Sequence, residues 1–180
     1  MQKFLKQKNK GFTLVETLVA ISIFTVSILG LLMVLSQGIA DTNYAKQKMI
    51  AAYLAQEGIE YIRNMRDTYV LYTEATGNDW NAFKVKLNPC NLGNECGFDN
   101  SIFPPDVFKC STHSNQCKLY LDNGNYNTNS LGSDSGFVRK IWMETAGLGP
   151  DQVKISSKVE WTQGSGNYNI IFSENLFNWE

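Results

Sequence analysis

Glu16 stands at the leading edge of a long apolar run, and an isolated carboxylate in that position has two chemical uses. The first is local: Thr13-x-x-Glu16 has the form of a capping box, in which the threonine accepts from a backbone N–H and the acid reaches back to the positive end of a helix. The second is intermolecular. A carboxylate well inside a bilayer costs on the order of 3 kcal/mol at the centre and less near the edge, so an acid retained there calls for a cationic partner. The other groups with reactive potential are Cys90, Cys96, Cys110 and Cys117. They are separated by five, thirteen and six residues, whereas structural zinc sites use pairs two to four apart. His113 is the sole histidine, so no metal site and no cofactor are expected, and the cysteines read as disulfide formers of an oxidising compartment. No nucleophile-elbow or phosphate-binding glycine motif occurs, and Glu57 and Glu60 read as charges on a solvated helix face. Catalysis is not expected.

The elements that must carry these residues follow from hydropathy and periodicity. Lys3, Lys6, Lys8 and Lys10 make a basic, acid-free start, and from Leu18 to Leu35 no charged residue appears. Eighteen such residues reach the length of a transmembrane helix. The run is too long for the apolar region of a secretory signal peptide, although Gly38-Ile39-Ala40 imitates a cleavage site. The lysines place the amino terminus in the cytoplasm, leaving the rest of the chain outside. Helical periodicity continues to about Asp67, with Tyr44, Ala51, Leu54, Ala55, Gly58, Ile62 and Met65 on one side and Gln56, Glu57, Glu60, Arg63, Asn64 and Asp67 on the other. One helix of about 80 Å would then serve as membrane segment and as the apolar stripe beneath a globular head, unless Gln37-Gly38 or Asp41-Thr42-Asn43 breaks it.

Beyond the helix lies a polar stretch, about Tyr69 to Leu131, that contains all four cysteines. Four cysteines allow three pairings. Cys90 with Cys96 and Cys110 with Cys117 are favoured, the second as a clamp on a hairpin whose arms are Val107–Cys110 and Cys117–Leu121. Each such bridge would add roughly 2 kcal/mol. Asn123-Gly124 is read as a turn in preference to a calcium loop. The final third reads as three antiparallel strands, Phe137–Glu144, Val153–Trp161 and Tyr168–Leu176, joined by turns at 147–150 and 164–166. Trp142, Trp161 and Trp179 are read as packing residues. The fold class expected is α+β, a long N-terminal helix packed on a C-terminal antiparallel sheet.

The junction Lys10-Gly11-Phe12-Thr13-Leu14-Val15-Glu16-Thr17-Leu18-Val19-Ala20 resembles the class III signal of type IV pilins and of type II secretion pseudopilins. The resemblance implies that a prepilin peptidase cuts after Gly11, that the new amino-terminal Phe12 is N-methylated, and that Glu16 of one subunit meets the Phe12 amine of a neighbour in a filament. It divides the chain into a leader at 1–11, a membrane or filament-core helix at 12–40, an amphipathic helix at 41–67 and an extracytoplasmic head at 68–180. Many major pilins carry a proline within the membrane helix, whereas here none precedes Pro89, and Tyr53–Glu60 and the carboxy-terminal tail resemble the minor subunits. The partners implied are other pilin subunits, the peptidase, the inner-membrane assembly machinery and the membrane. Loss of four lysines and no acid on cleavage leaves 12 of 16 basic residues against 17 acidic ones, which argues against nucleic acid as a partner. A membrane-anchored adhesin or ligand-binding module, with the cysteine-bounded loops as its contact surface, is the alternative that the same anchor would serve.

Overall fold

The computed structural model describes residues 11–72, 79–91, 93–100, 105–112, 117–145 and 147–178. The leader lysines, His113 and Trp179 lie outside the described residues. Contacts divide the chain into two units that meet between Tyr44 and Ala45, and each is treated by itself.

Helix α1 runs Leu14–Tyr72, five residues past the expected end and unbroken at Gln37-Gly38 and at Asp41–Asn43. In its first unit the apolar side chains are exposed throughout: Leu14 is 80 % and Leu31 72 % exposed, and the most apolar window, with a mean hydropathy of 2.7, buries nothing. This is one helix long and apolar enough to cross a membrane. Its hydroxyls are already satisfied along the helix: Thr17 donates to Leu14 O, Ser22 to Val19 O, Thr25 to Ser22 O and Ser27 to Ile23 O, at 2.8–2.9 Å. Such back-bonding lets polar side chains remain where water is absent.

In the second unit the same helix is amphipathic. Ala51, Leu54, Ala55, Gly58, Ile62 and Met65 are buried as the periodicity predicts, and Ile59 and Arg66 join them, while Tyr44 is only half-buried. A second helix, α2 at Asp79–Leu87, falls in the stretch read from sequence only as polar. Trp80, Phe83 and Leu87 are buried from one of its faces, a spacing that signals a helix.

Among the described residues seven strands form one antiparallel sheet: β1 Cys96–Phe98, β2 Val107–Lys109, β3 Lys118–Asp122, β4 Asn125–Asn127, β5 Ser133–Glu144, β6 Gln152–Gln163 and β7 Gly166–Phe177. The last three contain the three expected strands and extend them. β5 pairs with β6, β6 with β7, and the other edge of β5 receives both β1 and β3. Alternation decides the faces: Phe137, Arg139, Ile141 and Met143 of β5 and Val153, Ile155, Ser157, Val159 and Trp161 of β6 are buried, and the intervening residues point to the opposite side. The core joins Ile59, Ile62 and Met65 of α1 to Ile141, Ile155 and Leu176 of the sheet and to Phe83 of α2.

Two turns follow their residue types. Asn123 and Gly124 both have positive φ, 49° and 81°, between the paired Asp122 and Asn125, as a two-residue hairpin with a primed turn requires. Gly164, at φ 58°, begins the two-residue loop between Gln163 and Gly166. The expected hairpin of Val107–Cys110 with Cys117–Leu121 does not form. β2 pairs with β1, and β3 pairs with β4 and β5, because the apolar partners for each arm lie elsewhere in the sheet.

Candidate functional site: the amino-terminal junction and the head that follows it

At the start of α1 the backbone N–H of Glu16 donates to Thr13 Oγ1 at 3.2 Å, and Thr17 N–H donates to Thr13 O at 3.1 Å. Thr13 is therefore the cap that its sequence position predicts. The other half of the capping box is not made: the Glu16 carboxylate has no hydrogen bond or ion pair with any described residue, and it is exposed. Gly11 and Phe12 precede the helix in non-helical backbone, with Phe12 77 % exposed and open space around the Gly11 α-carbon. The arrangement presents an accessible Gly11–Phe12 peptide bond, a capped helix immediately behind it and one uncommitted carboxylate in its first turn.

The head holds its charges differently. Arg139 on β5 is buried, and its guanidinium donates to Glu57 Oε2 at 2.6 Å and to Leu54 O at 3.4 Å. The other oxygen of Glu57 accepts from Asn100 Nδ2 at 2.7 Å. The guanidinium lies 3.8 Å from the Phe98 ring centroid, and Phe98 stacks on Tyr61 at 3.9 Å. Tyr61 Oη in turn bonds both Asp106 O and Asp106 N–H at 3.0 Å. Burial pulls the Arg139 pKa down, with Glu57 opposing it, and burial pushes the Tyr61 hydroxyl up. Glu57 is thus no plain surface charge, as expected from sequence, but the counter-ion of a buried cation. Arg63, placed on the same polar face, binds Glu60 and Glu174 of β7, and the Glu174 bond raises its pKa. An i,i+3 pattern cannot reveal either cross-link, since both partners lie far along the chain.

The cysteines sit at the sheet edge in the head. Cys90 is bonded to Cys96 and Cys110 to Cys117, with Cα separations of 5.3 and 5.2 Å, and all four are buried. Gly97 makes room for them: a Cβ there would lie 2.7 Å from the Cys117 sulfur and 2.9 Å from the ring of Phe108, its cross-strand neighbour.

A chain with an apolar amino-terminal helix behind a Gly-aromatic junction, continuing into an antiparallel sheet, has the α+β arrangement of a pilin-type protein. Residues 6–32 match the family model of the prokaryotic N-terminal methylation motif. The match marks the chain as a type IV pilin-like or pseudopilin substrate of prepilin peptidase. No curated protein and no solved structure matches the chain significantly.

Proposed function

We propose that the chain is a minor pilin or pseudopilin, a structural subunit of a type IV pilus-like filament. Prepilin peptidase cuts between Gly11 and Phe12, Phe12 is N-methylated, and the processed chain waits in the membrane with its amino terminus cytoplasmic and its head outside. Assembly then packs its helix among those of other subunits, with the assembly machinery of the inner membrane driving the transfer. The observation that carries this reading is the uncommitted Glu16 on the exposed apolar stretch of α1 before Tyr44. Lipid can cover the apolar surface, whereas a cation offsets the cost of keeping the carboxylate charged, and the amine freed at Phe12 of a neighbour is the cation that the cleavage chemistry itself creates. The continuous helix without proline before Pro89 favours a minor subunit over the abundant one.

Intact-mass and amino-terminal peptide spectrometry of the membrane protein, with the peptidase present and removed, tests the processing step. A chain beginning at N-methyl-Phe12 only with the peptidase is expected; Met1 in both samples refutes processing. Glu16→Ala is expected to be cleaved normally yet fail to enter filaments, and its normal incorporation would remove the charge-pairing step.

A further inference from the structure

The sheet face turned away from the buried side of β5 and β6 is not plain solvated surface. Val138, Lys140 and Trp142 of β5 with Lys158 and Glu160 of β6 line a cavity of 690 Å³, within the size range of small-molecule sites. Its wall comes from the cysteine region: Asn94 and Glu95 lie inside the Cys90–Cys96 ring, and Cys110 and Ser111 open the Cys110–Cys117 ring. The polar groups are already oriented. Lys140 Nζ is 2.8 Å from Glu95 and 3.1 Å from Glu160, and Lys158 Nζ is 2.5 Å from Glu160. The Trp142 indole N–H donates to Glu144 Oε1 at 2.9 Å, so its polar edge is committed and what it offers the cavity is apolar ring.

We propose that this cavity binds a neutral saccharide, with the Trp142 ring as its apolar platform and the Lys140–Glu160–Lys158 row as the clamp on its hydroxyls. The lining carries three ammonium groups and two carboxylates, and Lys140 and Lys158 are each held by a carboxylate. A phosphate or sulfate between Lys140 and Lys158 would have to displace Glu160, the third ammonium, Lys118, lies 4.0 Å from Asp134, and an apolar ligand would leave the charged row without water. A hydroxyl is donor and acceptor at once, so it bridges an ammonium and a carboxylate without disturbing their balance. Preformed ion pairs and disulfide-bounded walls lower the ordering cost that a small polar ligand must overcome. The site is independent of the filament reading, since every residue in it belongs to the head.

The test uses the full processed chain in a detergent without a sugar headgroup. Saturation-transfer NMR is run with maltose, lactose, cellobiose and diacetylchitobiose, then with a sulfated heparin disaccharide and an acidic tripeptide. At least one neutral disaccharide is expected to bind, with Trp142→Ala and Glu160→Gln each weakening it about tenfold or more and Leu131→Ala leaving it unchanged. Near-UV circular dichroism checks that each variant keeps its head fold, and Lys158→Ala replaces any that does not. Failure of all four neutral sugars at tens of millimolar, binding of the sulfated sugar or peptide alone, or binding indifferent to Trp142 and Glu160 would overturn the assignment. None of these outcomes bears on processing at Gly11.

Discussion

Helix α1 carries two stretches of opposite design. Before Tyr44 the apolar residues of the helix are exposed on every side, and of its two acids Asp41 accepts from Gln37 Nε2 at 3.2 Å whereas Glu16 has no partner among the described residues. After Ala45 the buried apolar residues lie along one side, and Glu57, Arg63 and Arg66 are each engaged in ion pairs. The first stretch is complete only when lipid or other chains are present, whereas the second is complete within its own unit. On the proposed reading the unpaired Glu16 serves pairing between molecules, whereas Glu57 serves the architecture of the head.

The sharpest way to break this comparison is to exchange the two acids' fates. Truncating Glu57 to alanine leaves the Arg139 guanidinium buried and unpaired, and breaking such a pair typically costs about 3–5 kcal/mol. Denaturant unfolding of the head, followed by near-UV circular dichroism, should show a loss of that size. Glu16→Ala should leave the same transition unmoved. Equal losses would mean that Glu16 is architectural too. Next in size are the bridges. Cys110→Ser with Cys117→Ser removes a constraint on a short loop and is expected to lower stability by about 2–3 kcal/mol in the same assay, with no effect on cleavage after Gly11.

Glycines in the two stretches sharpen the contrast at a smaller scale. A Cβ at Gly58 would run into the Ser157 side chain, whereas one at Gly30 meets nothing within 4 Å. Gly58→Ala should cost about 1–2 kcal/mol by overpacking the helix against the sheet. Gly30→Ala should cost the head nothing and raise helix propensity by up to about 1 kcal/mol. Ser157 is fully buried and its hydroxyl has no hydrogen bond among the described residues, so Ser157→Gly should rescue Gly58→Ala, and a double-mutant cycle would read the coupling directly.

How much could be read from the sequence follows the same division. The junction at Gly11, Phe12, Thr13 and Glu16, the apolar run and the three long strands depend on neighbours in sequence, and periodicity exposes them. Glu57 reads as solvated from sequence because its partner, Arg139, lies 82 residues away, and the pairing of Arg63 with Glu174 spans 111 residues. α2 was hidden by Asp79, Asn81, Lys84 and Lys86, whose polarity masks the spacing of Trp80, Phe83 and Leu87. Trp142, read as packing, alternates with the buried Ile141 and Met143 and so faces outward, half-buried on the cavity floor. Which strand arms pair is a long-range choice, and the polar loops around β2 and β3 carried no local signal for it.

The smallest expected effect concerns acid, and it probes a paired carboxylate of the head without removing a side chain. Burial raises the Glu160 pKa, but its bonds to Lys158 and Lys140 outweigh burial and leave it below the ordinary carboxylate value. A group depressed in the folded state binds protons more readily when unfolded, so its contribution is present above the unfolded pKa and is lost as pH falls through the folded one. Lys140 runs the other way. Burial lowers its pKa, the bonds to Glu95 and Glu160 raise it further than burial lowers it, and its contribution fades only as pH climbs past the ordinary lysine value. Head stability should therefore hold across neutral pH and decline on the acid side below the unperturbed carboxylate range. Glu160→Gln should flatten that acid limb slightly. An acid limb unchanged by Glu160→Gln would show that its bonds to Lys140 and Lys158 do not hold the head against acid.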